Sequence, residues 1–404
     1  MRSNRIDIRR IFVLAGILSL FVIYAIIWGQ MISNQSQRTG TDFIAFYTAG
    51  RVAQENGPAH AYDIALQQKI QEKEVGFQLN TGQVLLYNHM PYLIPLLQML
   101  VSQSYVVSFV RWVLLLVSLY AFGMYGLSHW FPDGFQSSHK YLFLAGATTF
   151  FPIFVSLLLG QDTAFLFAGV SLMGWGISRK KNWLAGVGLA LTTVRPHFVL
   201  LFAIPFLFSQ QKTFWWFLVF AGSLAVMSVA IIGIQGTKDF INILLISAGG
   251  EWYGMKEDAM YNLIGLLSRW FTFLTPQIIR TVGWIVYITA MLSISIWSVR
   301  TKGIGNRHIG LIVLICILAV PHFHYHDLAL LLFPLLVASL ESQSFLIHRG
   351  VQFALQPLVI TFIMLVGFFA PSIQFIFPYI IVVGLAILLS RQNKFSPNNL
   401  EMTS

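Results

Sequence analysis

Residues 11–31 read IFVLAGILSLFVIYAIIWGQM, an apolar run without a charged side chain. A helix crosses the hydrocarbon core of a bilayer with about 20 such residues, so the run predicts a membrane span rather than a core helix of a soluble domain. Arg2, Arg5, Arg9 and Arg10 precede it. The apolar core is too long for a signal peptide and no small-residue cleavage site follows, so it is expected to remain as the first span. Beyond it comes the one long polar stretch, 33–90, with Asp42 at its mouth. A carboxylate held there, at a membrane surface and roofed by polar chain, is where a membrane enzyme would place a base.

The rest of the chain repeats the first pattern. Of 404 residues, 56% are hydrophobic and only 10% charged, and the mean hydropathy is +0.71. That composition excludes a soluble domain and predicts an all-α polytopic membrane protein. Long or paired apolar segments lie near 11–31, 104–128, 141–158, 163–178, 183–194, 197–209, 213–234, 277–299, 308–321, 327–340, 351–369 and 373–390. A further stretch, 91–101, is too brief to span and reads as re-entrant or interfacial. No linker or internal repeat divides the chain, so 1–404 is expected to be one domain. The net charge of +10 comes from Lys and Arg dispersed between apolar runs, where they set topology; nucleic acid is not expected as a partner. The single cysteine, Cys316, lies inside an apolar run, so no disulfide is expected.

The basic turns orient the spans. Arg179, Lys180 and Lys181, then Lys212, then Arg300, Lys302 and Arg307, then His348 and Arg349, and finally Arg391 and Lys394 punctuate the apolar segments. Placing all of them in the cytoplasm predicts about twelve crossings with both termini inside. The pair 183–194 and 197–209 must then cross as short helices broken at Arg195-Pro196. The opposite face receives 33–90, the turn Gly160-Gln161-Asp162, the break 192–197, the connection 235–262 and the segment Pro321-His322-Phe323-His324-Tyr325-His326-Asp327. Ionisable residues at membrane depth usually face a cavity or a partner, and here they converge on one side.

Each candidate has a structural alternative. Asp42 is a base, a solvated loop acid, or the N-cap of a helix starting at Phe43. His322, His324, His326 and Asp327 form the second signal: alternate histidines share a side in extended chain, and His322 and His326 share a helical face. That spacing suits a metal, or else phosphate binding or support of the base, and no Asp-x-Asp accompanies it, so no metal is expected; the plain alternative is a polar interfacial patch that caps the next helix. Asp327 either orients an imidazole or caps the next helix. Arg195 offers a guanidinium fork for phosphate, or snorkels at a helix end. Tyr87 and His89 line the pocket or form an ordinary turn. Gln161 and Asp162 bind sugar hydroxyls, or Asp162 caps the following helix. His197, beside the Arg195-Pro196 break, is a further pocket candidate, and Glu251 with Trp252 and Tyr253 either stacks on a sugar or belongs to an interfacial aromatic belt.

Several of these stretches resemble a known family. Thr41-Asp42-Phe43-Ile44-Ala45-Phe46-Tyr47-Thr48-Ala49-Gly50, Ala61-Tyr62-Asp63, Tyr87-Asn88-His89-Met90-Pro91-Tyr92, Gly160-Gln161-Asp162-Thr163, and Ala185-Gly186 through Arg195-Pro196 are similar to motifs of the polyprenyl-phosphate-mannose-dependent mannosyltransferases of glycosyltransferase family 87. The resemblance implies the GT-C architecture, a helix bundle with a large first extracytoplasmic loop at about 32–90 carrying the catalytic carboxylate. It implies transfer of a hexose, mannose first, from a polyprenyl-phosphate donor to a glycan or glycolipid acceptor, with inversion and with Asp42 as general base. Arg195, His322 and His324 would then hold the donor phosphate. The implied setting is the extracytoplasmic face of a bacterial cytoplasmic membrane, with the lipid bilayer itself as a partner and no cofactor. The alternative is a lipid-linked glycan transporter or flippase. That reading calls for charged residues running through the spans toward the cytoplasm and for a repeat; neither is evident apart from Arg111 in 104–128, which this topology puts near the external end of its helix. A ligase or polymerase would carry arginines in a late external loop, and 235–262 carries none.

Overall fold

The computed structural model describes residues 8–132, 135, 137–249, 257–301, 303–341, 348–370 and 374–391. Among these residues every regular element is helical. The elements are α1 (Ile8–Ser33), α2 (Gln35–Thr39), α3 (Phe43–Asn56), α4 (Ile64–Val75), α5 (Ile94–Leu100), α6 (Tyr105–Ser128), α7 (Ser137–Thr148), α8 (Phe151–Leu159), α9 (Thr163–Ser178) and α10 (Asn182–Leu191). They continue with α11 (Pro196–Ser209), α12 (Gln211–Gly249), α13 (Leu263–Trp270), α14 (Pro276–Arg300), α15 (Asn306–Ala319), α16 (Leu332–Glu341), α17 (His348–Ala354), α18 (Pro357–Phe368) and α19 (Ile376–Arg391).

Helices occupy all the apolar segments of the sequence, and five among the described residues are long and apolar enough to cross a membrane. Their outer faces are hydrocarbon: Leu14, Leu18, Val226, Leu245 and Leu292 are exposed. Water would not tolerate such faces over so much of the surface, and lipid does. The protein is a polytopic membrane protein.

The shorter helices are the informative ones. α10 and α11 hold 10 and 14 residues, about 15 and 21 Å of rise. Neither alone covers a hydrocarbon core of about 30 Å. They meet at a 3₁₀ turn, Thr192–Val194, followed by Arg195 and Pro196. Proline has no N–H and starts α11 without cost. Backbone of this kind at depth persists only where protein or a cavity surrounds it, and the site described below lies at this break. α9 and α10 pack as a close hairpin, since a Cβ on Gly176 would come within 2.3 Å of the Ala185 nitrogen and one on Gly188 within 2.3 Å of the Met173 nitrogen. That approach carries the start of α9 and the end of α10 to one end of the bundle.

The structure differs from the sequence reading in three places. The stretch 33–90, expected as a large loop, is folded into a largely helical cap. α3 is buried over most of its length, and two buried glutamines lace the cap together. Gln67 donates to the Ala61 carbonyl and accepts from Tyr87 N, and Gln71 bonds both the N–H and the C=O of Leu85. Second, 235–262 is not simply a connection. α12 continues to Gly249 past a break at Gly233, where φ is 65°, a value that glycine adopts without a Cβ penalty. Its second half packs on the cap through Phe240 against Tyr62, ring centres 5.0 Å apart. Third, 327–340 is not one regular helix but a 3₁₀ stretch, Tyr325–Leu331, leading into α16. The stretch 91–101 forms a 3₁₀ turn and the seven-residue α5; ten helical residues rise about 15 Å, too little to cross.

Candidate active site

A glycine turn sets the geometry. Gly160 ends α8 in the left-handed region, φ 69°, and a Cβ there would lie 2.8 Å from Phe43 Cβ. Its carbonyl accepts from the Trp112 indole at 2.8 Å. Only glycine satisfies both the backbone angle and the contact with α3. The turn thereby aims Gln161 and Asp162 at the end of α10 and the start of α3.

From there a continuous polar chain joins four distant parts of the sequence. Gln161 Nε2 donates to Asp42 Oδ2 at 2.6 Å, and Gln161 Oε1 accepts from Arg195 Nη2 at 3.0 Å. Carboxylate on one side and guanidinium on the other leave one sensible orientation for this amide. Arg195 also donates through Nε and Nη2 to Asp162 Oδ1, at 3.0 and 2.7 Å. The second Asp162 oxygen accepts from His89 Nδ1 at 2.7 Å. Burial of Asp162 opposes ionisation, yet the Arg195 guanidinium, helped by His89, holds its carboxyl well below the usual carboxylate range.

A second carboxylate anchors the histidine segment. Asp327 is fully buried and accepts from Thr163 Oγ1 at 2.9 Å and from the His324 backbone N–H at 3.1 Å. This pins the chain just before α16. His322 and His324 emerge on one side with their Nε2 atoms 3.0 Å apart, so one donates and the other accepts. Burial, and then the neighbouring imidazole charge, depress both; His324 falls to about 4. Both rings are neutral at pH 7. His326 stacks on His324 with centroids 5.6 Å apart.

Asp42, His89, Gln161, Arg195, His322, His324 and His326 all line one cavity of about 320 Å³. Asn88, His89, Arg195 and His322 also line a second cavity of about 350 Å³. The remaining wall of the second cavity is largely apolar, drawn from α11, α12, α13 and α14 through Leu200, Leu244, Ile264 and Trp284. Leu200 and Trp284 in its wall are exposed, so the groove is open rather than sealed among the helices.

The remaining candidates fall elsewhere. Asp162 is 0% exposed and makes no cap bond, so neither of its expected roles holds: both oxygens are spent on Arg195 and His89. Asp327 stands 3.6 Å from His326 Nε2, too far to orient it, and acts as the segment's cap. Tyr87 is buried behind the cavity, not lining it; it packs on Phe46 and His89. His197 lines the apolar groove. Asp42 precedes α3 but makes no side-chain cap bond, so it is not the N-cap of that helix. Glu251 lies outside the described residues. Sequence reasoning missed the role of Thr163, whose hydroxyl holds Asp327. It also passed over Arg280 and Trp284, which line the groove and whose only sequence signal is an arginine and an indole near the start of a long apolar helix.

No curated protein matches the chain. A family model described as Glycosyltransferase family 87 matches residues 91–346. That span contains Gln161, Asp162, Arg195 and the histidine segment; Asp42 and the cap precede it. Since the match covers more than half of the sequence, the chain belongs to glycosyltransferase family 87.

Proposed function

We propose that this glycosyltransferase moves a hexose, mannose in the first instance, from a polyprenyl-phosphate donor to an acceptor hydroxyl on the extracytoplasmic face of the membrane. One observation supports this above the rest: a polar cavity with Asp42 as its one carboxylate among the described residues shares a wall of Asn88, His89, Arg195 and His322 with a largely apolar groove between helices. A polyprenyl tail fits the groove, its phosphate fits the shared wall, and the sugar reaches the polar cavity. A nucleotide-sugar donor would have no use for the groove.

In the proposed step the acceptor oxygen attacks the anomeric carbon from the side opposite the phosphate. The carbon–oxygen bond to phosphate breaks and its electron pair leaves with the phosphate, so the configuration inverts. The hydroxyl proton passes to Asp42. Gln161 holds Oδ2, leaving Oδ1 for that proton. Gln161 is therefore a positioning residue. Negative charge grows on the phosphate, where Arg195 and the His322–His324 pair would meet it. Arg195 arrives already paired with Asp162, so its charge is largely cancelled. The added attraction has to come from proton uptake by the imidazoles, which binding of an anion favours.

The test is direct. Purified protein in lipid nanodiscs receives undecaprenyl-phosphate mannose labelled in the sugar. Release or transfer of label with formation of undecaprenyl phosphate supports the reading. Binding without any cleavage over hours would instead indicate a carrier and overturn it.

A further inference from the structure

The geometry points to an acceptor subsite for an uncharged glycan in the cap, between α2, α4 and the segment 77–85. A third cavity, of about 550 Å³, lies there. It meets the Asp42 cavity through the shared residues Gly40 and Leu85, and Thr41, the neighbour of Asp42, is in its wall. The three spaces therefore follow one another: apolar groove, carboxylate cavity, cap cavity. The donor approaches from the lipid side, so the acceptor comes from the cap.

Its wall specifies the class of acceptor. Among the described residues no ionisable side chain lines it; its polar groups are amides and hydroxyls, of which Gln71 and Thr41 are buried and bonded to the chain while Gln35, Ser36 and Gln83 are exposed. Phe77, 62% exposed, lies on its rim. Amides and hydroxyls beside an aromatic face match the hydroxyls and C–H faces of neutral sugars. They offer no opposite charge to a phosphate or a uronate. The contrast within the same cap is sharp. On the other side of α4 a cavity of about 470 Å³ is lined by Arg51, Glu55, Lys69, Lys73 and Glu74, and it shares no lining residue with the Asp42 cavity. The wall is also built rather than incidental. Gln71 spends both ends of its amide on Leu85, and Gln35 ties α2 to the Glu74 carbonyl. Gln83 uses its oxygen on Asn80 N, leaving its NH₂ without a partner among the described residues.

This inference rests on the donor reading above, and its test separates the two. Full-length protein in nanodiscs is given labelled undecaprenyl-phosphate mannose with methyl disaccharides as acceptor probes, one set neutral and one carrying a uronic acid. Wild type should glycosylate the neutral set. In Phe77→Ala and Gln83→Leu, the ratio of sugar passed to disaccharide over sugar released to water should fall at least tenfold. Because a substitution can disturb folding, a second arm modifies protein already folded: Ser36→Cys, with Cys316→Ala, is treated with a bulky maleimide. The same ratio should fall after modification and not before. An unchanged ratio in all three, or preference for the uronic acid probes, overturns the subsite while the donor reading stands. No cleavage of donor by wild type overturns both.

Discussion

Asp42 and Asp162 are joined through Gln161 and Arg195, yet they occupy opposite electrostatic circumstances. Asp162 is sealed from solvent and gives both oxygens to Arg195 and His89. Asp42 is half-buried, borders an open cavity, and gives one oxygen to a neutral amide. A fully paired, buried carboxylate is a poor base, because accepting a proton would strand its partners. An acid held by one amide at a cavity wall retains a lone pair for chemistry. Position in the chain does not distinguish them, since each directly precedes a helix; their surroundings do.

The contrast is most sharply tested by Asp42→Asn. It keeps shape and can accept the Gln161 amide, and no helix cap is lost because none exists. Transfer should fall by about 10²–10⁴-fold, the usual range for a general base. Thermal stability and donor binding should hold. Near-normal transfer would place the base elsewhere, with His324 next in line.

Asp162→Ala should show the converse, with the folded state itself suffering. It leaves the Arg195 guanidinium buried and unpaired, at a cost of about 3–5 kcal/mol. Removing both charges, Asp162→Leu with Arg195→Met, should recover most of that in a melting experiment, since isosteric apolar pairs often match a buried ion pair. Failure to recover would mean that Arg195 is needed for more than balancing Asp162.

A smaller effect is expected at Thr163. Thr163→Val removes one hydrogen bond to the buried Asp327 carboxylate, about 1.5–3 kcal/mol by the norm for charged partners, and frees the histidine segment. Donor affinity should weaken while the Asp42 side is undisturbed. A loss in turnover without a loss in affinity would contradict that division.

Acidity sharpens the comparison last. His324 is depressed from its ordinary 6.5 to about 4 by burial first and by His326 next. A histidine with a lowered folded-state value favours the folded state above about pH 6.5, and that contribution is lost progressively as pH falls toward 4. Melting temperature in detergent should decline across that window, and less so in His324→Gln. Donor binding should move the other way, tightening as pH falls from 7.5 to 5.5 because anion and imidazolium form together. Donor affinity that is flat with pH would remove the histidine pair from phosphate binding.

Much of the architecture was legible before any fold was known. Hydrocarbon-length apolar runs such as 11–31, basic turns such as Arg179-Lys180-Lys181, and the break at Arg195-Pro196 depend on local chemistry that a membrane enforces strictly. Candidate residues for a site were legible as well, because ionisable side chains are conspicuous against apolar chain. Roles were less so. The sequence offered Asp162 as a sugar ligand and Tyr87 as pocket lining, and both turned out to be buried supports. The cap at 33–90 looked like loop because its order comes from two buried glutamines, Gln67 and Gln71, bonding chain up to 20 residues away. No periodicity records such bonds.

The sequence by itself determined that this is a helical membrane protein with polar breaks near the ends of its helices, since hydrophobicity and helix length are properties of short segments. The tertiary structure alone decided which carboxylate is open and which is spent. That depends on distances between residues more than 100 positions apart, such as Asp42 and Gln161. It also depends on the left-handed turn at Gly160, which brings α8, α9 and α3 together. Ionisation follows from pairing and burial, and both are set only once the helices have packed.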